Sequence, residues 1–435
     1  MTTSHKTPAL AEAGFKALAL ILLIVGTGAP AAAQTGSCTV LEQNLYVRDV
    51  MSDIYLWRSE LPALDPAQFD SPDAYLEAVR FRPLDDSFSY ITSRAASDAL
   101  YSNSEYVGLG FSSTWRGDEF VLSQVFPGSP ASEAGLARGD RIVEIDGRTV
   151  ADLIATGEIG GAFGPSEAGV AVHVVAVRGS ARIDAHMVKR PVIIPTVSHT
   201  TVIDVAGRRV GYIFFRNFVE PSRDALDEAF EELRLQGATE LVLDLRYNGG
   251  GLVGVAQHLG GLIGGTLTSG QVFAEYAHND RNQFRNRVLR FPTPESALRL
   301  DRLFVVTTRA SASASELVIN ALRPFIPVIA IGDRTYGKPV GQYLIPFCDK
   351  VLAPVSFSLR NADGQGDFFD GLQPTCRAAD DLDHAVGDPA ESSLREALVF
   401  IGTGACSAPP ALDRRAPREP ARARTAGWQS VLGAH

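Results

Sequence analysis

The rhythm of apolar and polar positions changes several times along the 435 residues. From Thr39 to about Ile91 it is helical: Leu41, Leu45 and Met51 recur at helix spacing, and Ser71 stands as a cap before a second segment, SPDAYLEAVR. Between Tyr106 and Arg190 glycine and proline break the chain into short apolar runs, VGLGF, FVLSQV, PGSPASEAGL, GDRIVEIDG and VAVHVVAV, which predicts a compact, mostly β module. From Arg209 onward GYIFF, SRDALDEAFEELRLQG, ELVLDL, LFVVTT, SELVINAL and VIAIG alternate between strand and helix patterns, which predicts an α/β domain. Its best-defined helix, 222–236, has Pro221 and Ser222 at its start, Leu226, Ala229, Phe230 and Leu233 on one face, and Gly237 at its end. Residues 266–300, polar and mixed in sign, are expected to form a long excursion between core elements. No solenoid-type repeat is present.

The two ends depart from this globular pattern. Lys6 and Lys16, the apolar run Ala17–Val25 and the alanines at 31–33 form a secretory signal pattern cut after Ala33, because nine apolar residues are too few to span a bilayer. A lipoprotein anchor at Cys38 is disfavoured, since the preceding TGS lacks an aliphatic position. The mature chain is therefore expected to be secreted or periplasmic, with no integral membrane segment. Residues 407–435, rich in proline, alanine and arginine, read as a disordered tail. Between them lie an expected helical region (34–103), the β module (104–190) and the α/β domain (191–406).

Composition narrows the partners. Hydrophobic residues at 45% and charged residues at 21% exclude wholesale disorder. The net charge of -10, which becomes -11 once Lys6, Lys16 and Glu12 leave with the leader, argues against nucleic acid and anionic membrane. Cys38, Cys348, Cys376 and Cys406 are an even set in an exported chain, so two disulfides are expected. Neighbourhood in sequence favours Cys348 with Cys376, leaving Cys38 with Cys406 to tie the two ends. With no CxxC and no HxxxH spacing, no metal or cofactor is expected.

The candidate chemistry starts at RASASASE, Arg309–Glu316. LFVVTT before it and the helical spacing of Leu317, Val318, Ala321 and Leu322 after it put the serines on a strand-to-helix turn. There the free N–H groups and positive end of a helix can hold an oxyanion. The alternative is a capped turn, with Ser311 or Ser313 as the cap and Glu316 balancing the dipole. A nucleophile also needs a base. Lys338, in GDRTYGKPVGQ, follows the next strand and returns to the same sheet edge. A neutral lysine at pH 7 requires a downward shift of roughly 3.4 units, or about 4.6 kcal/mol, which burial beside groups such as Tyr336 and Val340 can supply. Gln342, four residues on, can orient the amine. His258 is the one histidine placed to compete as a base.

SASASE and TYGKPVGQ, preceded by LVLDLRYNGGG and by the GLGF module, resemble the C-terminal processing peptidases, also called tail-specific proteases. The resemblance implies Ser313 as nucleophile, Lys338 as general base and Gln342 as its partner, with Ser311 and Ser315 as scaffold. It places the oxyanion hole at Ala314 and at Gly249 or Gly250. Pro339 stands where the family usually has glycine, which stiffens the loop. Gly108, Leu109, Gly110 and Phe111, with GSPASEAGLARGDRIVEIDG, resemble a PDZ domain, which implies capture of a peptide C-terminus by backbone amides. The implied fold is multidomain α+β: a helical segment, a PDZ-like module and an α/β core of Clp protease/crotonase-like type. The implied function is an exported serine endopeptidase acting on proteins or peptides with accessible C-termini. The alternatives are a non-catalytic peptide-binding scaffold and an esterase or amidase using Ser313 with His258.

Overall fold

The computed structural model describes residues 38–407, so the expected leader and all of the expected tail but Ser407 lie outside the described residues. The centre is a six-stranded sheet in the order Val197–Val205, Arg208–Phe215, Glu240–Asp244, Leu303–Thr307, Val328–Gly332, Cys376–Arg377. The first pair is antiparallel and every later pair is parallel. Parallel strands must be covered on both faces, and here they are. Ile213, Phe215, Leu241, Leu243, Leu303 and Val305 face the helices Ser222–Leu235, Val253–Gly264 and Ala314–Leu322. The alternate residues Tyr212, Phe214, Val242, Phe304 and Val306 face Leu394, Ala397, Leu398 and Ile401 of the C-terminal helix Ser392–Thr403.

Residues 266–300 prove to be more than an excursion. Val272–His278 and Val288–Arg290 join Val355–Arg360 and Val340–Gln342 in a four-stranded sheet that flanks the central one. The arm's polarity hides its packing: Arg287 lays its guanidinium over the Tyr276 ring, 4.7 Å from its centroid.

The N-terminal region is helical as expected, but it shares a core with the strands after Lys338. Thr39 and Glu42 form a capping box for Val40–Ile54, and Ser71 caps Pro72–Val79. Val47, Met51, Tyr75, Leu76 and Val79 pack on Val340, Phe347, Leu352 and Val355. A short strand, Tyr90–Ser93, pairs with Lys350–Ala353. The β module has its own sheet and its own core around Leu109, Phe111, Leu122 and Val174. It is tied back to the central domain by Arg138, which donates to the Tyr247 hydroxyl (3.1 Å) and the Asp381 carbonyl (2.8 Å). The fully buried Arg216 donates to Ser112 Oγ (3.2 Å) and to the Tyr247 carbonyl.

All four cysteines are paired, but not as expected: Cys38 bonds Cys348, and Cys376 bonds Cys406. Packing overrides closeness in sequence. Cys348 sits in the tight turn between Ile345–Phe347 and Lys350–Ala353, and Phe347 stacks on Tyr46 of the first helix (5.2 Å), which brings Cys38 alongside. Cys376 is on the edge strand covered by the C-terminal helix, whose end delivers Cys406. Non-reducing digestion should therefore release Cys38 linked to Cys348 and Cys376 linked to Cys406. Recovery of a Cys348–Cys376 peptide would refute this pairing. Replacing both Cys376 and Cys406 by serine should cost about 2–4 kcal/mol in a denaturant titration.

Candidate active site

Two turns at the carboxyl ends of adjacent parallel strands build the site. The 308–313 turn follows Leu303–Thr307 and the 245–251 turn follows Glu240–Asp244. Ser311 Oγ donates to the Leu245 carbonyl (2.8 Å), Ser315 Oγ to the Asn248 carbonyl (2.9 Å) and the Ala312 N–H to the same carbonyl (3.0 Å). Ser311 and Ser315 are fully buried by this stitching, while Ser313 stays accessible and lines a cavity of about 380 Å³. Ser313 has φ 54° and ψ -111°, a conformation that side chains other than glycine rarely hold. The surrounding bonds supply what that strain costs, and Ala314 opens the helix immediately after it.

Gly250 makes the close approach of the turns possible, since a Cβ there would lie 2.8 Å from the Ala312 carbonyl, the Ala314 nitrogen and Ser313 Cβ, at φ 97°. Its own N–H donates to Asn248 Oδ1 (2.9 Å), so Gly250 is not the free donor that the sequence left open. Among the described residues the Gly249 and Ala314 N–H groups meet no protein acceptor, and both residues line the cavity. Asn248 sits between the strands, with Nδ2 donating to the Phe215 carbonyl (2.9 Å).

Lys338 reaches the same cavity from the loop after Val328–Gly332. Nζ donates to Gln342 Oε1 (2.5 Å), while Gln342 Nε2 donates to the carbonyls of Phe88 (2.5 Å) and Ala353 (2.9 Å). Both amide hydrogens being committed, the Gln342 oxygen is fixed toward the lysine. The Phe88 ring lies 5.7 Å from Nζ. By area Lys338 is only half-buried, because Nζ faces the open cavity, but protein crowds it on the other sides. Burial pulls its pKa down to about 8, against the charges of Asp85 and Glu316, which hold it up.

Glu316 does more than balance a dipole. Fully buried, its carboxylate accepts from the N–H groups of Ser313 (2.9 Å), Gly337 (2.7 Å) and Lys338 (2.9 Å) and from Thr335 Oγ1 (2.5 Å). Burial pushes its pKa up, and these four donors pull against that shift. The rest of the cavity is mainly apolar, with Tyr90, Leu252, Leu317, Tyr343 and Phe357 in its walls.

His258 does not line this cavity. Its Nε2 pairs with Asp227 Oδ1 at 2.8 Å, away from Ser313 and Lys338. No cluster of metal-ligating side chains among the described residues lies at the cavity: Cys376 and Cys406 near Glu396 are consumed in a disulfide, and His173, Asp184 and His186 are on the outer face of the β module. In that module the side chains of Leu109 and Phe111 point into the core, so only backbone is offered between Gly108 and Phe111. The buried Tyr106 phenol lies against the N–H groups of Gly110 and Phe111, a neighbour that sequence reading did not anticipate.

Residues 209–377 match the description of peptidase family S41, residues 42–90 that of the peptidase S41 N-terminal domain, and residues 121–160 that of a PDZ domain. The chain is 29% identical to a chloroplastic C-terminal processing peptidase of Tetradesmus obliquus over 61% of its own length and 59% of that relative. It is 26% identical to the carboxy-terminal processing protease CtpB of Bacillus subtilis over 59% of its length and 52% of that relative. The matched part thus spans only about half to three fifths of these relatives. Among solved structures, an S41 protease of Bacteroides fragilis superposes with a TM-score of 0.67 at 28% identity, covering 82% of this chain and 97% of the other.

The buried ammonium has a thermodynamic signature. The Lys338 pKa is about 8 in the folded protein against 10.5 ordinarily, so between those values the unfolded chain holds more protons and wild-type stability rises with pH. Lys338→Met should therefore be more stable than wild type below pH 8, by about 1–3 kcal/mol after allowing for the solvent in the open cavity. The gain should fade as pH approaches 10.5. Matched thermal melts across this range check it, and a pH-independent difference would contradict it.

Proposed function

The chain carries a peptidase family S41 core with that family's N-terminal domain and a PDZ domain, and on that premise we propose that it is an exported serine endopeptidase working through a Ser313–Lys338 dyad. The observation that carries this reading is the lysine: an amine whose pKa burial lowers to about 8, held by an oriented amide in the same cavity as a strained, accessible serine. Neutral Lys338 accepts the Ser313 Oγ proton as Oγ attacks the substrate carbonyl, while the Ala314 and Gly249 N–H groups receive the oxyanion. The resulting ammonium protonates the leaving amine, and water then releases the acyl group with Lys338 again as base. Two disulfides fit an oxidising compartment, in keeping with the leader pattern, and among the described residues no helix is long and apolar enough to cross a membrane.

Ser313→Ala and Lys338→Ala should each abolish cleavage of an unstructured protein substrate while melting as folded proteins, and His258→Ala should remain active. An active Lys338→Ala enzyme would end the dyad reading. Because the base form predominates only above the lysine pKa, kcat/KM should rise with pH through about 8, falling about tenfold per unit below it.

The PDZ domain is assigned the choice of substrate. A C-terminal carboxylate would take the Gly110 and Phe111 N–H groups in place of the Tyr106 phenol. Amidating a substrate's apolar C-terminus should then lower cleavage efficiency about ten- to a hundredfold, from the loss of charged hydrogen bonds of roughly 1.5–3 kcal/mol. Equal cleavage of the acid and amide forms would reduce the domain to a lid.

A further inference from the structure

Lys338 is covered by a residue 250 positions earlier in the chain, Phe88, on a turn of the N-terminal region. What holds that turn is Asp85, whose side chain is wholly buried. Its Oδ1 accepts from the N–H groups of Phe88 and Ser89 (2.9 Å each). Its Oδ2 accepts from the hydroxyls of Tyr55 (2.9 Å) and Ser89 (2.6 Å). These hydroxyls are themselves anchored, Tyr55 by the Phe81 N–H (3.0 Å) and Ser89 by the Val355 N–H (2.9 Å). The carboxylate thus fixes one peptide turn between the first helix and the strand beside Gln342. That turn presents two things to the dyad: the Phe88 carbonyl that receives Gln342 Nε2, and the Phe88 ring beside Nζ.

We propose that Asp85 is a positioning residue for the Lys338–Gln342 pair, acting through the 85–89 turn, so that the N-terminal domain supplies part of the active site rather than a support for it. This inference rests on the Ser–Lys reading above. The groups facing Lys338 are few. Glu316 holds its backbone, Gln342 its amine, and Tyr336 shares the cavity and is bonded to Ser87 Oγ (3.2 Å). Arg80 stands behind the turn, donating to the Ser89 carbonyl (3.0 Å) and paired with Glu77. Asp85 and Glu316 supply the negative charge that favours the ammonium, and the desolvation opposing it comes from the packed surroundings to which Phe88 belongs. The Phe88 ring adds both burial, which opposes the charge, and a π face, which favours it, whereas Asp85 acts in one direction only.

The test needs no turnover. Beyond the leader the chain's lysines are Lys189, Lys338 and Lys350, so a carbon-13 lysine titration of the mature Ser313→Ala protein is readable, with Lys338 assigned by its loss in Lys338→Met. The Lys338 midpoint should lie near 8 and move down in Asp85→Asn. In the active protein, Asp85→Asn should lower kcat about 10- to 100-fold on the alkaline plateau with KM little changed. A folded Asp85→Asn protein with an unmoved midpoint and unchanged kcat would overturn the proposal. If Asp85→Asn does not fold, Tyr55→Phe, which keeps the charge but removes one of the carboxylate's four donors, should lower kcat severalfold with KM unchanged, and full activity there would overturn it equally. Activity surviving in Lys338→Met would remove the dyad reading, while the titration would still decide whether Asp85 governs the lysine.

Discussion

One buried carboxylate holds the candidate site together. Glu316 receives the N–H of Ser313 from one turn and those of Gly337 and Lys338 from another, so the placement of Ser313 relative to Lys338 is set through backbone. Backbone is the stiffest part of the chain available for this purpose, and a carboxylate is the one side chain able to accept from that many donors at once. Burying it is costly, and the four donors offset that cost. The glycine turn at 249–251, the stitching by Ser311 and Ser315 and the fixed amide of Gln342 all refine a geometry that this acid first imposes.

The three regions of the chain meet at that geometry from different sides. The central sheet supplies the turns, the 85–89 turn of the N-terminal region supplies the cover over the lysine, and the β module is bonded through Arg138 to Tyr247, which directly precedes Asn248 and the glycines. The N-terminal helices share their core with Val340 and Val355, on strands that carry the cavity wall. Each region thus contacts either the cavity wall or a residue next to it.

Much of this was legible in the sequence, for reasons that differ by element. The central strands were plain because burial on both faces leaves continuous apolar runs, and 222–236 was plain because its apolar stripe is unbroken. The serine and lysine turns could be placed because each follows such a strand. The arm at 272–290 was hidden because a charged group, the Arg287 guanidinium, packs on an aromatic ring, so that composition suggested solvent. The cysteine pairing and the Phe88 cover depend on contacts between residues hundreds of positions apart, which no local pattern encodes. The choice between Gly249 and Gly250 turned on where one asparagine amide points. One usable signal was overlooked: nearly all the cations of the folded part are arginines, so a lysine at 338, the one basic type that can lose its proton, is conspicuous.

The third residue of the DLR run, Arg246, does not line the cavity, yet it ties the central turn to the end of the chain. Its guanidinium is buried between Asp244 and Glu391, donating to the latter at 2.7 and 2.8 Å across 145 residues of sequence. Glu391 in turn caps the C-terminal helix through the N–H groups of Ser393 and Leu394. Until that acid arrives, the centre of the sheet contains an arginine charge compensated on one side only, which a dry interior tolerates poorly. The compensation comes from a residue close to the C-terminal end of the described core, so the glycine turn and the last helix depend on one another. The ion pair thereby links the turn that carries Gly249 to the capping of the C-terminal helix, so that both ends of the central domain must be in place before either is complete.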